Sequence, residues 1–188
     1  MSGNNRHLRG DVNAIKMPVH GATVVEPGDL LVYGGDTNIW TAHSDSRADY
    51  YAYPVSGITG SAGMGGTGTL CIAKNHFCGI ALSGSKSGTT EDITVALTGT
   101  FRYPLRNIPG KDGSKTCGTT VGLKVSMVTP ASVTVAGPSD QAVCIATHSG
   151  TSAYIGYCIM NSSGGGTKGG TSYVDFVLKS KWGLGLAT

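Results

Sequence analysis

Charge is what this sequence has least of. Asp, Glu, Lys and Arg make up 13% of its 188 residues, against roughly 25% in an average soluble domain. Glu occurs only at positions 26 and 91, and the Ala-Leu-Glu-Lys composition of helix-rich chains is missing. No segment sustains an apolar stripe at the 3.6-residue helical period. No apolar run approaches the ~20 residues of a membrane span, so no membrane partner is expected. The net charge of +3 is diffuse, and without a dense Lys/Arg run no nucleic-acid partner is expected. Residues 1–9 are polar with no apolar h-region, so no secretory signal is expected. The five cysteines (Cys71, Cys78, Cys117, Cys144 and Cys158) are odd in number and lack a CxxC pair. That argues against a disulfide framework and for reduced, mostly buried thiols after synthesis in a cytoplasm.

What is abundant is glycine, 30 residues, roughly double its usual share. Thr, Val and Ser accompany it. This mixture suits short strands joined by tight turns. The length fits one domain large enough to bury a real core, with room for an arm.

Residues 1–24 read as an extended N-terminal arm. Pro18 and Gly21 interrupt any helix, and the apolar set Val12, Ile15, Met17 and Val19 looks too sparse for a core. The all-β domain is placed at 25–180, with an insertion around 34–76 and a tail at 181–188. Its first turn is Glu26-Pro27-Gly28-Asp29, followed by a strand through Leu30-Leu31-Val32-Tyr33. Residues 44–49 suit one helical turn. Tyr50 to Val55 is β-like, with Pro54 marking an edge strand. Further strands are predicted at 69–73, 77–82, 93–103, 121–128, 132–136, 142–147, 153–160 and 172–179. Turn residues recur between them at the spacing of a barrel or sandwich. Residues 56–68 and 161–170 are Gly-rich loops.

Each motif with chemical associations also has a plainer reading. Gly63-Met64-Gly65-Gly66-Thr67-Gly68 matches GxGxxG, but a loop precedes it and a strand follows, where a dinucleotide site needs a strand and then a helix. Gly84-Ser85-Lys86-Ser87 resembles a P-loop but has an extra Ser and no following helix, so a hairpin turn is expected. His76 lies near Cys78, yet the paired ligand spacing of a zinc site is missing. The one adjacent carboxylate pair, Glu91-Asp92, reads as a solvated turn, and no GxSxG elbow occurs. No catalytic residue, cofactor site or metal site is nominated. Trp40, Tyr50, Tyr51 and Tyr53 are candidates for an interface or a glycan platform, weighed against strand packing.

Residues 78–105 (CGIALSGSKSGTTEDITVALTGTFRYPL) carry a more specific pattern. Gly79, Ile80, Ala81, Leu82, Gly88, Val95, Ala96, Leu97, Gly99, Phe101 and Pro104 together resemble a family of small phage capsid decoration, or cement, proteins. Val24-Val25-Glu26-Pro27-Gly28-Asp29-Leu30 is similar to that family's opening turn. Ile155-Gly156-Tyr157 and Val174-Asp175-Phe176-Val177-Leu178 are similar to its closing strands. The chain is longer than the family pattern, and its cysteines match nothing in it.

The resemblance implies an all-β, compact, barrel- or sandwich-like (β-tulip-like) domain without enzymatic activity. It implies a homotrimer on the exterior of the virion capsid, bound to the major capsid protein and stabilising the head against internal DNA pressure. Within that reading Arg6, Arg9, Val12, Ile15, Lys16 and Met17 of the arm are candidates for capsid contact. The alternative is a carbohydrate-binding or host-attachment module of a fibre or tail, using the Tyr50–Tyr53 segment. An enzyme with scattered active-site residues ranks last.

Overall fold

A computed structural model describes residues 7–9, 11–21, 23–34, 51–55, 76–88, 90–105, 122, 124–127, 143–146, 154–161 and 172–180. In chain order the strands are β1 (His7–Arg9), β2 (Ala14–Val19), β3 (Leu30–Gly34), β4 (Tyr51–Pro54), β5 (Phe77–Ala81) and β6 (Glu91–Ala96). They continue as β7 (Thr100–Leu105), β8 (Lys124–Met127), β9 (Val143–Ala146), β10 (Tyr154–Asn161) and β11 (Ser172–Leu178). They form two sheets, ordered β2-β6-β5-β3-β4 and β1-β7-β11-β10-β8-β9. The all-β, sandwich-like expectation holds. So do the strands read at 30–33, 77–82, 121–128, 142–147, 153–160 and 172–179, to within a few residues at their ends. The strands read at 69–73 and 132–136, the helical turn at 44–49, the glycine motif at 63–68 and the tail at 181–188 lie outside the described residues.

Alternation along the strands decides which core a residue joins, and in β5 an irregular register opposite Leu31 and Val32 sets Phe77 and Ile80 on one face and Cys78 and Ala81 on the other. Leu30 and Val32 of β3, Tyr53 of β4, Phe77 and Ile80 of β5 and Ala96 of β6 face the six-stranded sheet. There they pack against Phe101, Tyr103, Ile155, Val174, Phe176 and Leu178. The Tyr103 hydroxyl crosses this layer and donates to the Gly28 carbonyl. The residues between them, Leu31, Ala52, Cys78, Ala81, Ile93 and Val95, point the other way and meet Met17 and Val19 of β2 in a second core. The sheet curls over that core until its edges, β2 and β4, approach each other, with the rings of His20 and Tyr51 edge-on at 5.4 Å. Both faces of the five-stranded sheet are therefore covered, which is why every residue of β5 is buried.

The six-stranded sheet closes differently. A parallel bridge, Leu105–Val143, brings β9 back to β7, while the other pairings are antiparallel. Strands β7, β11, β10, β8 and β9 thus run round as a ring. A ring with an odd number of otherwise antiparallel strands must contain one parallel pair, and this bridge supplies it.

One expectation is corrected, and the described part of residues 1–24 finds a place in the sheets. β1 pairs with β7, and β2 pairs with β6 along its whole length, from Ala14↔Ala96 to Val19↔Glu91. Ile15, Met17 and Val19 stand two apart, the period of a strand, so a set read as too sparse for a core lines one face of β2. Pro18 is tolerated because β2 is an edge strand. The run 93–103, read as one strand, is two. Gly99 has φ +128°, which disfavours any side chain, and a Cβ there would stand 3.1 Å from Phe101 Cε2 and 3.2 Å from Val12 Cγ2. This corner turns the chain from β6 in one sheet to β7 in the other, held by Leu178 N–H on the Gly99 carbonyl at 2.8 Å. Pro54 does mark an edge strand, since β4 ends the five-stranded sheet. The region 34–76, read as an insertion, supplies that strand.

Candidate interaction surface

The sequence nominated the N-terminal segment and the tyrosine segment, and most of their described apolar side chains pack into the cores. Arg6, Trp40 and Tyr50 lie outside the described residues. Met17 is 3% exposed inside the curled sheet, so it offers nothing to a capsid. Val12 packs against the core between the sheets, and Ile15 packs against the second core. Lys16 is exposed, and its ammonium donates to Thr94 Oγ1 at 2.9 Å. Arg9 holds the register position opposite Thr100 in β7. Tyr53 is buried in the core between the sheets, and Tyr51 is half-buried beside it. The packing reading of these two tyrosines is the one the fold supports.

The loop resembling a P-loop is a hairpin connection between β5 and β6, as expected. The N–H groups a phosphate would need are already engaged. Ser85 N–H donates to the Val25 carbonyl at 2.8 Å, and Gly88 N–H donates to the Gly21 carbonyl. Lys86 N–H donates to the Glu91 carboxylate. The Ser85 hydroxyl is buried and accepts the Val25 N–H at 3.1 Å. Glu91 and Asp92, read as a turn, instead open β6.

Nucleophile and metal chemistry find little to work with. Burial pushes the Cys78 thiol well above its ordinary range, so it stays protonated and unreactive. Cys158 is also a buried thiol in no disulfide. His76 stacks at 5.0 Å from Tyr33. Among the described residues no three His, Cys, Asp or Glu side chains converge as a metal site would require.

The surface with the most chemistry is one the sequence reading did not nominate, the outward face of the six-stranded sheet. While Val174, Phe176 and Leu178 of β11 point inward, Tyr173, Asp175 and Val177 take the other face. Cross-strand register builds a row there: Lys124 of β8 opposite Tyr157 of β10, Tyr157 opposite Val177 of β11, and Val177 opposite Thr100 of β7. Val177 is one of the few large apolar side chains left exposed among the described residues, at 36%. The Lys179 ammonium stands 4.9 Å from the centre of the Tyr157 ring, a favourable cation–π placement. In the next row Arg102 grips Asp175 with two hydrogen bonds, Nε–Oδ1 at 2.7 Å and NH2–Oδ2 at 2.8 Å. That bond to Asp175 raises the guanidinium pKa. Asp175 is buried although it lies on the outward face, whereas Arg102 remains 45% exposed. The signal for this face was present in Tyr173-Val174-Asp175-Phe176-Val177-Leu178-Lys179, whose alternate residues are its outward members. Which strands stand beside β11 was not legible, and without them the row has no shape.

No family model, no curated protein and no solved structure matches this chain.

Proposed function

We propose that the chain is a structural virion protein, a decoration or cement protein that binds the exterior of a phage head and braces it against internal DNA pressure. One observation carries the reading. Four segments resembling that family, 24–30, 78–105, 155–157 and 174–178, are separated in sequence, and they meet in space as one unit. Residues 78–105 run through β5, the hairpin loop, β6, the Gly99 corner and β7, crossing from one sheet to the other. The 24–30 segment is bonded to its start: Gly28 N–H donates to the Ala81 carbonyl at 2.7 Å, and Ala81 N–H donates to the Asp29 carbonyl at 2.9 Å. The 155–157 and 174–178 segments pair with each other, and β11 pairs with β7.

A match produced by composition alone gives no reason for its parts to adjoin. Two of the matched glycines also have steric work: a Cβ on Gly79 would stand 2.2 Å from the Ala96 carbonyl oxygen, and one on Gly156 2.2 Å from the Val177 carbonyl oxygen. Two cores sharing one sheet suit a shell protein, which must stay folded outside the cell without a ligand to hold it. A homotrimer, as the resemblance implies, would multiply weak contacts into a firm attachment.

Quantitative mass spectrometry of purified virions tests the reading. A copy number in simple ratio to the major capsid protein is the expected result. A handful of copies per particle would move the chain to a fibre or attachment role, and absence from virions would overturn the virion reading altogether.

A further inference from the structure

We propose that the outward face of the six-stranded sheet is a docking surface for an acidic protein surface, with Val177 and Tyr157 at its apolar centre and Lys124, Lys179 and Arg102 as its cationic rim. The inference rests on the decoration reading only for the partner's identity, an acidic patch on the head exterior.

The argument starts from charge. Among the described residues, the acids Asp11, Glu26, Asp29, Glu91 and Asp92 belong to the five-stranded sheet and the segments leading into it. Of the described acids, the outward face of the six-stranded sheet has one, Asp175, and Arg102 neutralises it. Arg102 spends Nε and one NH2 on that pair, which leaves further N–H donors for a partner. Lys124 and Lys179 add charge on either side of Tyr157. The face is therefore net positive while the rest of the described fold leans acidic.

Shape selects the class of anion. Bases and sugars are held by stacking on an open aromatic face. The Tyr157 ring is half-buried, and Lys179 stands over it, so it is a poor platform. An exposed aliphatic side chain beside a half-buried tyrosine, rimmed by cations, has the anatomy of a protein contact instead. With strands ~4.8 Å apart, the row from Lys124 to Thr100 spans roughly 14 Å. That is smaller than a standard interface, so one copy binds weakly and an oligomer gains by avidity.

The test uses the full chain, isotope-labelled, with amide shift mapping against a Glu-rich peptide. A heparin fragment and a single-stranded DNA oligonucleotide of matched charge serve as counter-probes. The expected shifts fall on β7, β8, β10 and β11 and fade in roughly 0.5 M salt. Lys124→Glu/Lys179→Glu should weaken peptide binding by about tenfold, and Lys86→Glu on the β5–β6 loop by less than about twofold. If the double variant loses its amide dispersion, Lys179→Glu alone, beyond the end of β11, carries the test with a smaller loss. Shifts elsewhere, no shifts, or unchanged binding by folded variants would overturn the surface. Tighter binding of heparin or DNA than of the peptide would overturn the protein partner.

Purified heads separate the two proposals. Wild-type chain that ignores heads yet maps the peptide to this face sinks the decoration reading and leaves the surface standing. Heads that bind wild type and Lys124→Glu/Lys179→Glu equally well sink the surface and leave the decoration reading.

Discussion

The five-stranded sheet buries both its faces, while the six-stranded sheet buries one and shows the other to solvent. The difference is written in their strands. Phe77-Cys78-Gly79-Ile80-Ala81 is apolar or glycine at every position and is buried throughout. Tyr173 to Lys179 alternates, and its outward members are the ones available to a partner. The comparison teaches a division of labour: one sheet supplies rigidity and the other supplies surface.

The largest effects should come from the cores. Phe176, with its ring 5.7 Å from Tyr103, joins the two sheets, and Phe176→Ala should cost about 4 kcal/mol in a denaturant titration. Ile93 is fully buried inside the curl, and Ile93→Ala should cost about 3 kcal/mol. A loss below about 1 kcal/mol at Ile93 would mean the curl encloses no real second core.

Next come two glycines, one in each sheet, where a neighbouring strand passes too close for a side chain. A Cβ on Gly79 would stand 2.2 Å from the Ala96 oxygen and 2.8 Å from Val95 Cγ1. A Cβ on Gly156 would stand 2.2 Å from the Val177 oxygen and 2.7 Å from Phe176 Cδ2. The collisions are alike, but β5 is clamped on both faces while β10 can give towards solvent. Gly79→Ala should therefore cost about 3 kcal/mol and Gly156→Ala about 2 kcal/mol. Equal losses would show that covering the second face adds no stiffness.

A smaller effect separates the polar pairs of the two sheets. Arg102→Leu leaves the Asp175 carboxylate buried without its partner. Because Arg102 is itself 45% exposed, the cost should be about 1–2 kcal/mol rather than that of a fully buried pair. Lys16→Ala, which removes an exposed bond to Thr94, should stay within about 0.5 kcal/mol. A double-mutant cycle on Arg102 and Asp175, run by thermal melts, checks the first value.

The sheets also differ in how far the sequence disclosed them. Strand class and most strand positions follow from β-branched, alternating segments bounded by glycine. The core role of Met17 and Val19 was equally visible at period 2, but Pro18 between them reads as a breaker unless the strand is known to be an edge. The division at Gly99 was hidden because the residues around it alternate without interruption, and a corner depends on φ rather than on pattern. The outward row is the least legible feature. Lys124, Tyr157 and Val177 come from three strands far apart in sequence, and only register makes them neighbours.

The effect at Cys78 is small at neutral pH and grows in alkali. Desolvation by burial raises its thiol pKa. A group whose folded pKa is raised contributes its stability below the unfolded value and loses it as pH climbs above that value. In the unfolded chain the thiol ionises near pH 9.0, so beyond that point each pH unit favours unfolding by about 1.4 kcal/mol. Tyrosines and lysines add their own slopes, so the informative quantity is a difference. Cys78→Val keeps an apolar side chain of similar size at a strand position and cannot ionise. At pH 7 it should match wild type within about 1 kcal/mol. By roughly pH 10 it should be relatively more stable by about 1 kcal/mol, measured by denaturant titration at each pH. Parallel stability curves for the two proteins would mean that water reaches Cys78, and that the second face of the five-stranded sheet is open rather than curled shut.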